Sequence, residues 1–314
     1  MNRYNKILVA ADINSEQQPA LARAIQLAKK DHSTSEIVFF LTIYDFSYEM
    51  TSMLSGDERD AMRQGVIGQR EDLMNNIIEP YLSDDISLTV KVTWHNRPYE
   101  AIIEEVFAGD YDILIKATHK HDTLESVIFT PTDWHLLRKC PTPVLLVKDH
   151  DWEPNGNIVA SVHVGSENET HHSLNQKMVS EAIYFGEMLN ATPHLVNAYP
   201  STPANITVEI PEFDPGTYSD AVRGHHLTAM KALRQQYGIC DEQTHVEEGI
   251  TEDVISEVAK KLDADLVILG TTGRTGLSAV FIGNTAEHTI DMLNCDVLAL
   301  KPDGFLSPLD PEIN

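Results

Sequence analysis

The chain has 314 residues, 42% of them hydrophobic, which is enough for two globular domains of about 150 residues each. Its 23 basic residues against 48 acidic ones give a formal charge of −25, which sets it against nucleic acid and anionic membrane surfaces as direct partners. The three cysteines, Cys140, Cys240 and Cys295, are far apart and odd in number, with neither metal spacing nor a disulfide framework.

That cysteine usage suits a reducing cytoplasm. The first apolar run, Ile7 to Ala11, is too short for a signal-peptide core or a membrane span, so no membrane insertion is expected.

In chain order, an internal repeat of about 150 residues organises the sequence. Lys6 to Ala10 matches Asn157 to Ser161, and each reads as a buried first strand. Gln18 to Lys30 follows with Leu21, Ala24, Ile25 and Ala28 on one helical face. Its partner is Leu174 to Leu189, with Leu174, Met178, Ile183 and Met188 as the expected apolar positions. Second strands are expected at Ile37 to Tyr44 and His194 to Tyr199, then long helices at Asp57 to Ile78 and Tyr218 to Tyr237. Third strands follow at Leu88 to Trp94 and Thr244 to Glu247.

Pro98 to Phe107 matches Thr251 to Leu262, with Pro98 suited to a first helical position and Thr251 to a cap. Fourth strands are expected at Tyr111 to Ile115 and Ala264 to Ile268, and fifth strands at Pro143 to Lys148 and Asp296 to Lys301. Asp149 to Asn157, with its Pro and Gly, reads as the linker. The expected domains are thus 1–150 and 157–305, with a tail at 306–314. Each half reads βαβαβαβαβ, so the fold class is α/β: two tandem Rossmann-like domains, each a five-stranded parallel sheet with helices on both faces. Ligands of such sheets bind at the carboxyl ends of the strands.

The most informative stretch is Gly270 to Thr285, GTTGRTGLSAVFIGNT. It lies between the fourth strand of the second half and a helix opening at Asn284, with Glu287 three residues on as a capping box. Gly270 and Gly273 permit close backbone approach and positive φ. Gly283 stands where free helix N–H groups face an anion. The spacing is neither the dinucleotide fingerprint nor a Walker A loop.

With this spacing, the sequence resembles the universal stress protein family, whose nucleotide-binding members hold ATP phosphates on such a loop. The resemblance covers nearly the whole chain, and its tandem layout is similar to the two-domain type of that family. Phe46 to Met50 and Phe129 to Trp134 carry that closer match. It implies an adenine nucleotide alpha hydrolase-like fold and a site in the second half made of Ser161, Val162, His163, Ala198, Leu269, Gly270, Thr272, Gly273, Arg274, Gly283, Asn284 and Thr285. The implied cofactor is ATP or another adenine nucleotide, with or without Mg. The family usually has Ser or Thr after the last Gly, where this chain has Asn284.

The halves differ. In the first, Lys116, His119 and Thr130 replace Gly270, Gly273 and Gly283, Pro131 offers no N–H, and Asp133 puts negative charge where phosphate would sit. The first half therefore reads as lacking a phosphate loop; a basic clamp of Lys116, His119, Lys120 and His121 is the counter-reading. Family members place an Asp at the end of the first strand, on the adenine or ribose side. Asp12 keeps it in the first half, and His163 replaces it in the second.

His171-His172 and His225-His226 read as surface polar residues rather than metal ligands, because helical neighbours face different ways. Val208 to Pro215 lies in a long connection that reads as a lid. Asp112 and Asp265 read as turn residues. The expected function is a cytoplasmic stress-response binding and signalling module for an adenine nucleotide. A slow ATP hydrolase, or a carrier of another small or amphiphilic ligand, are the alternatives. Since family members commonly dimerise by the edge beside the last strand, the two halves are expected to form an intramolecular pseudo-dimer with the fifth strands adjacent; a further homodimer remains open.

Overall fold

The computed structural model describes residues 4–12, 17–30, 35–49, 54–83, 86–121, 124–148, 151–166, 168–202, 214–271 and 284–312. The chain divides into two compact units, Met1–Asp149 with Leu306–Asn314, and His150–Phe305. Ser307, in the returning C-terminal segment, is buried and its Oγ donates to the Lys139 carbonyl at 2.7 Å, which ties that segment to the first unit.

Unit 1 runs β1 (Lys6–Ala10), α1 (Pro19–Lys30), β2 (Ser35–Ile43), α2 (Phe46–Glu49), α3 (Gly56–Ile78), β3 (Ile86–Trp94), α4 (Pro98–Gly109), β4 (Ile113–Ala117), a hairpin of β5 (His119–His121) and β6 (Leu124–Ile128), α5 (Pro131–Lys139) and β7 (Val144–Val147). Its main strands pair in the order β3-β2-β1-β4-β7, all parallel. Ile7, Leu8 and Val9 of the central strand are fully buried, as a strand covered on both faces requires. Leu21, Ala24, Ile25 and Ala28 form the inner face of α1, as their spacing predicts. The antiparallel β5–β6 hairpin is not legible in the sequence as an alternating pattern. It occupies the stretch that corresponds to the glycine-rich loop of the second half.

Unit 2 runs β8 (Asn157–Ser161), α6 (Glu169–Leu189), β9 (Thr192–Tyr199), α7 (Pro215–Tyr237), β10 (Thr244–Glu248), α8 (Thr251–Lys261), β11 (Ala264–Gly270), α9 (Asn284–Met292) and β12 (Asp296–Leu300). Its strands pair in the order β10-β9-β8-β11-β12, again all parallel. The buried stripe of α6 is Leu174, Met178, Ala182, Phe185 and Leu189. Ile183 and Met188 lie off it, half-buried, because a step of five residues turns about 140° around a helix while steps of three and four stay on one face.

Asp112 and Asp265 act as pins rather than as chemistry. Asp112 Oδ2 accepts from the Asn5 and Lys6 N–H groups at 2.8 Å each. Asp265 Oδ1 accepts from the Glu153 N–H at 3.4 Å. Each carboxylate fixes the chain entering the first strand of its own unit.

Across the edge of the unit 2 sheet, a hydrogen-bond chain joins β10, β9 and β8. His245 Nε2 lies 3.2 Å from His194 Nδ1, and His194 Nε2 lies 3.1 Å from Asn157 Oδ1. Asn157 Nδ2 donates to the Leu262 carbonyl, which fixes Oδ1 as acceptor. Neutral His194 therefore carries its proton on Nε2 and accepts from His245. Burial, then the neighbouring His245, holds His194 below the ordinary imidazole value; burial, then Lys261, does the same to His245 against an opposing pull from Glu247. Both rings are neutral when folded, so the unfolded chain binds the extra protons. This contribution to stability is complete above the unfolded value of about pH 6.5 and is lost as pH falls from there through the lowered folded values. Urea midpoints at pH 7.5 and 5.5 measure it; His194→Gln should reduce the difference, and an unreduced difference would exclude this chain as its source.

Candidate ligand site

At the carboxyl ends of β8, β9 and β11, unit 2 has a cavity of about 330 Å³, toward the lower end of small-molecule sites. Ser161, Val162, His163, Ala198, Leu269 and Gly270 line it, six positions that the sequence assigns to a ligand. Thr272, Gly273, Arg274 and Gly283 lie outside the described residues, as does 203–213, which holds most of the expected lid. Asn284 and Thr285 open α9.

The other linings were not assigned to the site from sequence, though their spacing is readable. His171, Leu174, Asn175 and Met178 share one face of α6 at i, i+3, i+4 and i+7. Thr251 and Ile255 are i, i+4 on α8, and Ala286 and Thr289 are i, i+3 on α9. His171, Thr251 and Ala286 each stand in the first turn of their helix. Three helix N-termini thus converge on one cavity, and their partial positive charges favour an anionic group there.

Gly270 has a different role from the one its motif suggests. It is not among the described residues with positive φ. A Cβ on it would come within 2.6 Å of Leu174 Cδ2 and 3.3 Å of Met178 Sδ, so its missing side chain lets α6 pack onto β11 and form the cavity floor. The next residue, Thr271, is buried and bound through both N–H and Oγ1 to the Leu300 carbonyl, at 2.8 and 3.0 Å.

His163 is held by its backbone. Its N–H donates to Asn175 Oδ1 at 2.9 Å, and its carbonyl accepts from Asn175 Nδ2 at 3.0 Å. Unit 1 repeats the device, with Gln18 bonding the N–H and carbonyl of Asp12 at 3.2 and 2.6 Å. The His163 ring meets His171 edge-on, with centroids 5.3 Å apart. Burial first, then His171 and His226, lowers the affinity of His163 for a proton. Of the paired histidines, His172 and His225 are exposed, whereas His171 lines the cavity and His226 is buried. The reading of both pairs as surface residues is therefore corrected for one member of each. Among the described residues no cluster of histidine, cysteine and carboxylate groups is arranged to hold a metal.

In unit 1, Lys116 occupies the position of Gly270. Its Nζ lies 2.6 Å from Asp133 Oδ1, and Asp133 is fully buried. Asp133 Oδ2 also accepts from the Thr130 N–H and Oγ1, at 2.7 and 2.8 Å, closing a capping box on α5. The ammonium is thus committed to an internal carboxylate, which counts against a clamp built on Lys116; the side chains of His119, Lys120 and His121 lie outside the described residues.

The model of the universal stress protein family matches residues 3–148 and 170–301. The chain belongs to the universal stress protein family. It is 53% identical over 311 residues to universal stress protein E of Escherichia coli K12, covering 99% of this chain and 98% of that protein. It is 45% identical over 303 residues to the universal stress protein E homolog of Haemophilus influenzae, covering 96% and 98%. Among solved structures, a protein of unknown function from Pseudomonas aeruginosa PAO1 superposes with a TM-score of 0.73 at 30% identity, covering 97% of this chain and 95% of that one. A universal stress protein from Archaeoglobus fulgidus shares the fold, with a TM-score of 0.66 at 14% identity over 95% and 99% of the two chains. For a universal stress protein, the cavity at the carboxyl ends of β8 and β11 is also where the general rule for open parallel sheets places a ligand.

A larger hollow of about 830 Å³ lies at the amino ends of the unit 2 strands. Among the described residues, Asp151, Glu153, Glu257, Asp263 and Asp265 line it against Lys260 alone of the lysines and arginines, a lining that disfavours phosphate. No helix among the described residues is long and apolar enough to cross a membrane.

Proposed function

We propose that the unit 2 cavity binds an adenine nucleotide, and that the protein is a stress-response binding module whose occupancy controls contacts with partners in the cytoplasm. The observation that carries this reading is the convergence of three helix N-termini on a cavity of about 330 Å³ at the carboxyl ends of β8 and β11. The base and ribose face Ala198 and His163, and the phosphates face the start of α9. The apolar floor of Leu174, Met178 and Ile255 suits a planar base. Unit 1 has its equivalent position filled by the Lys116–Asp133 pair, so one nucleotide per chain is expected.

Native mass spectrometry of freshly purified protein tests this. A single retained or added adenine nucleotide per chain supports it; no adduct at millimolar ATP overturns it.

His163→Asp should raise ATP affinity. Asn175 fixes the backbone at this position, so a carboxylate there is presented at the cavity wall and accepts from a ribose or base donor. A charge-assisted bond contributes about 1–3 kcal/mol, a gain of roughly five- to 150-fold. Calorimetry showing unchanged or weaker binding would refute the placement of the base and ribose beside this residue.

A further inference from the structure

Between the cavity and the long helix α7 lies a hydrogen-bond chain whose polarity is fixed by chemistry. Asn197, on β9, is fully buried. Its Oδ1 accepts from the Val164 N–H at 3.1 Å, so the other end of its carboxamide is the donor. That Nδ2 lies 3.0 Å from His226 Nδ1. His226 Nδ1 is therefore the acceptor, and the neutral ring carries its proton on Nε2.

The same ring lies against the backbone of the loop after β8. A Cβ on Gly165 would stand 2.2 Å from His226 Cε1, a contact that only glycine permits. Tyr199 stacks on the ring at a centroid distance of 5.4 Å. His226 and Met230 are the buried residues of α7, so this helix grips the body of unit 2 through few side chains. The segment His163 to Gly165 is thus held from α6 by Asn175, from β9 by Asn197, and from α7 by His226.

Protonating Nδ1 turns the acceptor into a donor aimed at the Asn197 Nδ2–H. Rotating the carboxamide would satisfy the imidazolium but would aim Nδ2–H at the Val164 N–H. One carboxamide oxygen cannot serve both, so one bond is lost in either orientation.

The groups around the ring are His225 on α7, with centroids 5.6 Å apart, Tyr199 on β9, and His163 on the loop. Glu247 and Glu248 of β10 and Asp220 and Arg223 of α7 stand beyond it, around Tyr199. Burial, then His225, holds His226 below the ordinary imidazole value, so it is neutral at pH 7 and charges on acidification.

We infer that His226 is a positioning residue for the cavity: neutral, it holds the His163 loop in its binding-ready place through Asn197, and once protonated it releases that loop and weakens ligand binding. The choice of ATP as ligand rests on the nucleotide reading above; the loop coupling does not.

The test pairs a ligand-free readout with a ligand readout. In the free protein, nitrogen-15 spectra across pH 5 to 8 follow the His226 imidazole and the Val164 amide. Both should titrate with one midpoint, with the proton on Nε2 in the neutral form. Calorimetry with ATP at pH 7.5, 6.5 and 5.5 should show affinity falling by up to about tenfold per pH unit below that midpoint. His226→Gln should remove this part of the pH dependence; the titration of ATP and of His163 persists in that variant and is the baseline. Asn197→Asp should also remove it, because a carboxylate accepts from the Val164 N–H and the imidazolium together.

A Val164 amide that does not follow His226 overturns the inference, as does an equal pH slope in wild type and His226→Gln. If His226→Gln fails to fold, Asn197→Asp decides, and an acid loss retained there overturns it. If ATP binds at no pH while Val164 follows His226, the nucleotide reading falls and the loop coupling stands.

Discussion

Lys116→Ala will destabilise unit 1 by about 3–5 kcal/mol, the usual cost of removing one member of a buried ion pair. Asp133 is fully buried, and Lys116 is its cation at 2.6 Å with only 14% of its own side chain exposed. Alanine leaves the carboxylate with the Thr130 cap bonds, which serve its other oxygen. The double variant Lys116→Met with Asp133→Ser should recover most of the loss, since a methionine fills the space of the lysine stem and serine keeps a hydroxyl at the helix start. Urea unfolding measures both, with hydrogen exchange at Leu114 and Leu146 as the local readout in unit 1. A cost below about 1 kcal/mol for Lys116→Ala would mean the pair behaves as a hydrated surface contact.

Gly270→Val will damage both stability and binding in unit 2. The added Cβ meets Leu174 at 2.6 Å and 3.1 Å and Met178 at 3.3 Å, and two further methyl groups must find room beyond it. Overpacking of this kind costs about 1–3 kcal/mol. Leu174 and Met178 form the cavity floor, so their displacement narrows the site, and ATP affinity should fall at least about tenfold. Thr130→Val, which alters the cap of α5 in unit 1, should leave ATP affinity unchanged. Equal losses from the two substitutions, measured by calorimetry, would contradict binding in unit 2 alone.

Much of the fold was legible because the repeat states it twice. The apolar runs at Ile7 to Ala10 and Ile158 to Ala160 could be aligned, and one buried strand read from the other. The α1 face was legible because Leu21, Ala24, Ile25 and Ala28 keep strict helical spacing, whereas the mixed apolar residues of α6 offered two stripes and only packing against β8 and β11 selects one. The β5–β6 hairpin was hidden because it replaces a loop rather than adding to the repeat.

The six described positions that the family pattern assigns to a ligand all line the unit 2 cavity. The roles of Asn175, Asn197 and His226 were not legible in the sequence, because each acts through a partner distant in sequence: Asn175 through His163, Asn197 through Val164, and His226 through Asn197. Gly270 was legible as a required glycine, but not for its reason. Sequence shows the missing side chain, and only the packed helix shows what fills its space.

The most direct measurement is a titration of methyl-labelled protein with ATP, observed by NMR. Met178, Ile255 and Ala286 line the proposed site, whereas Ile115 and Leu146 lie in the core of unit 1 beside Lys116. Saturable shifts of Met178, Ile255 and Ala286 at one nucleotide per chain, with Ile115 and Leu146 unmoved, are the expected result. Shifts centred on Ile115 and Leu146, or none in either unit at millimolar ATP, would contradict a nucleotide site in unit 2.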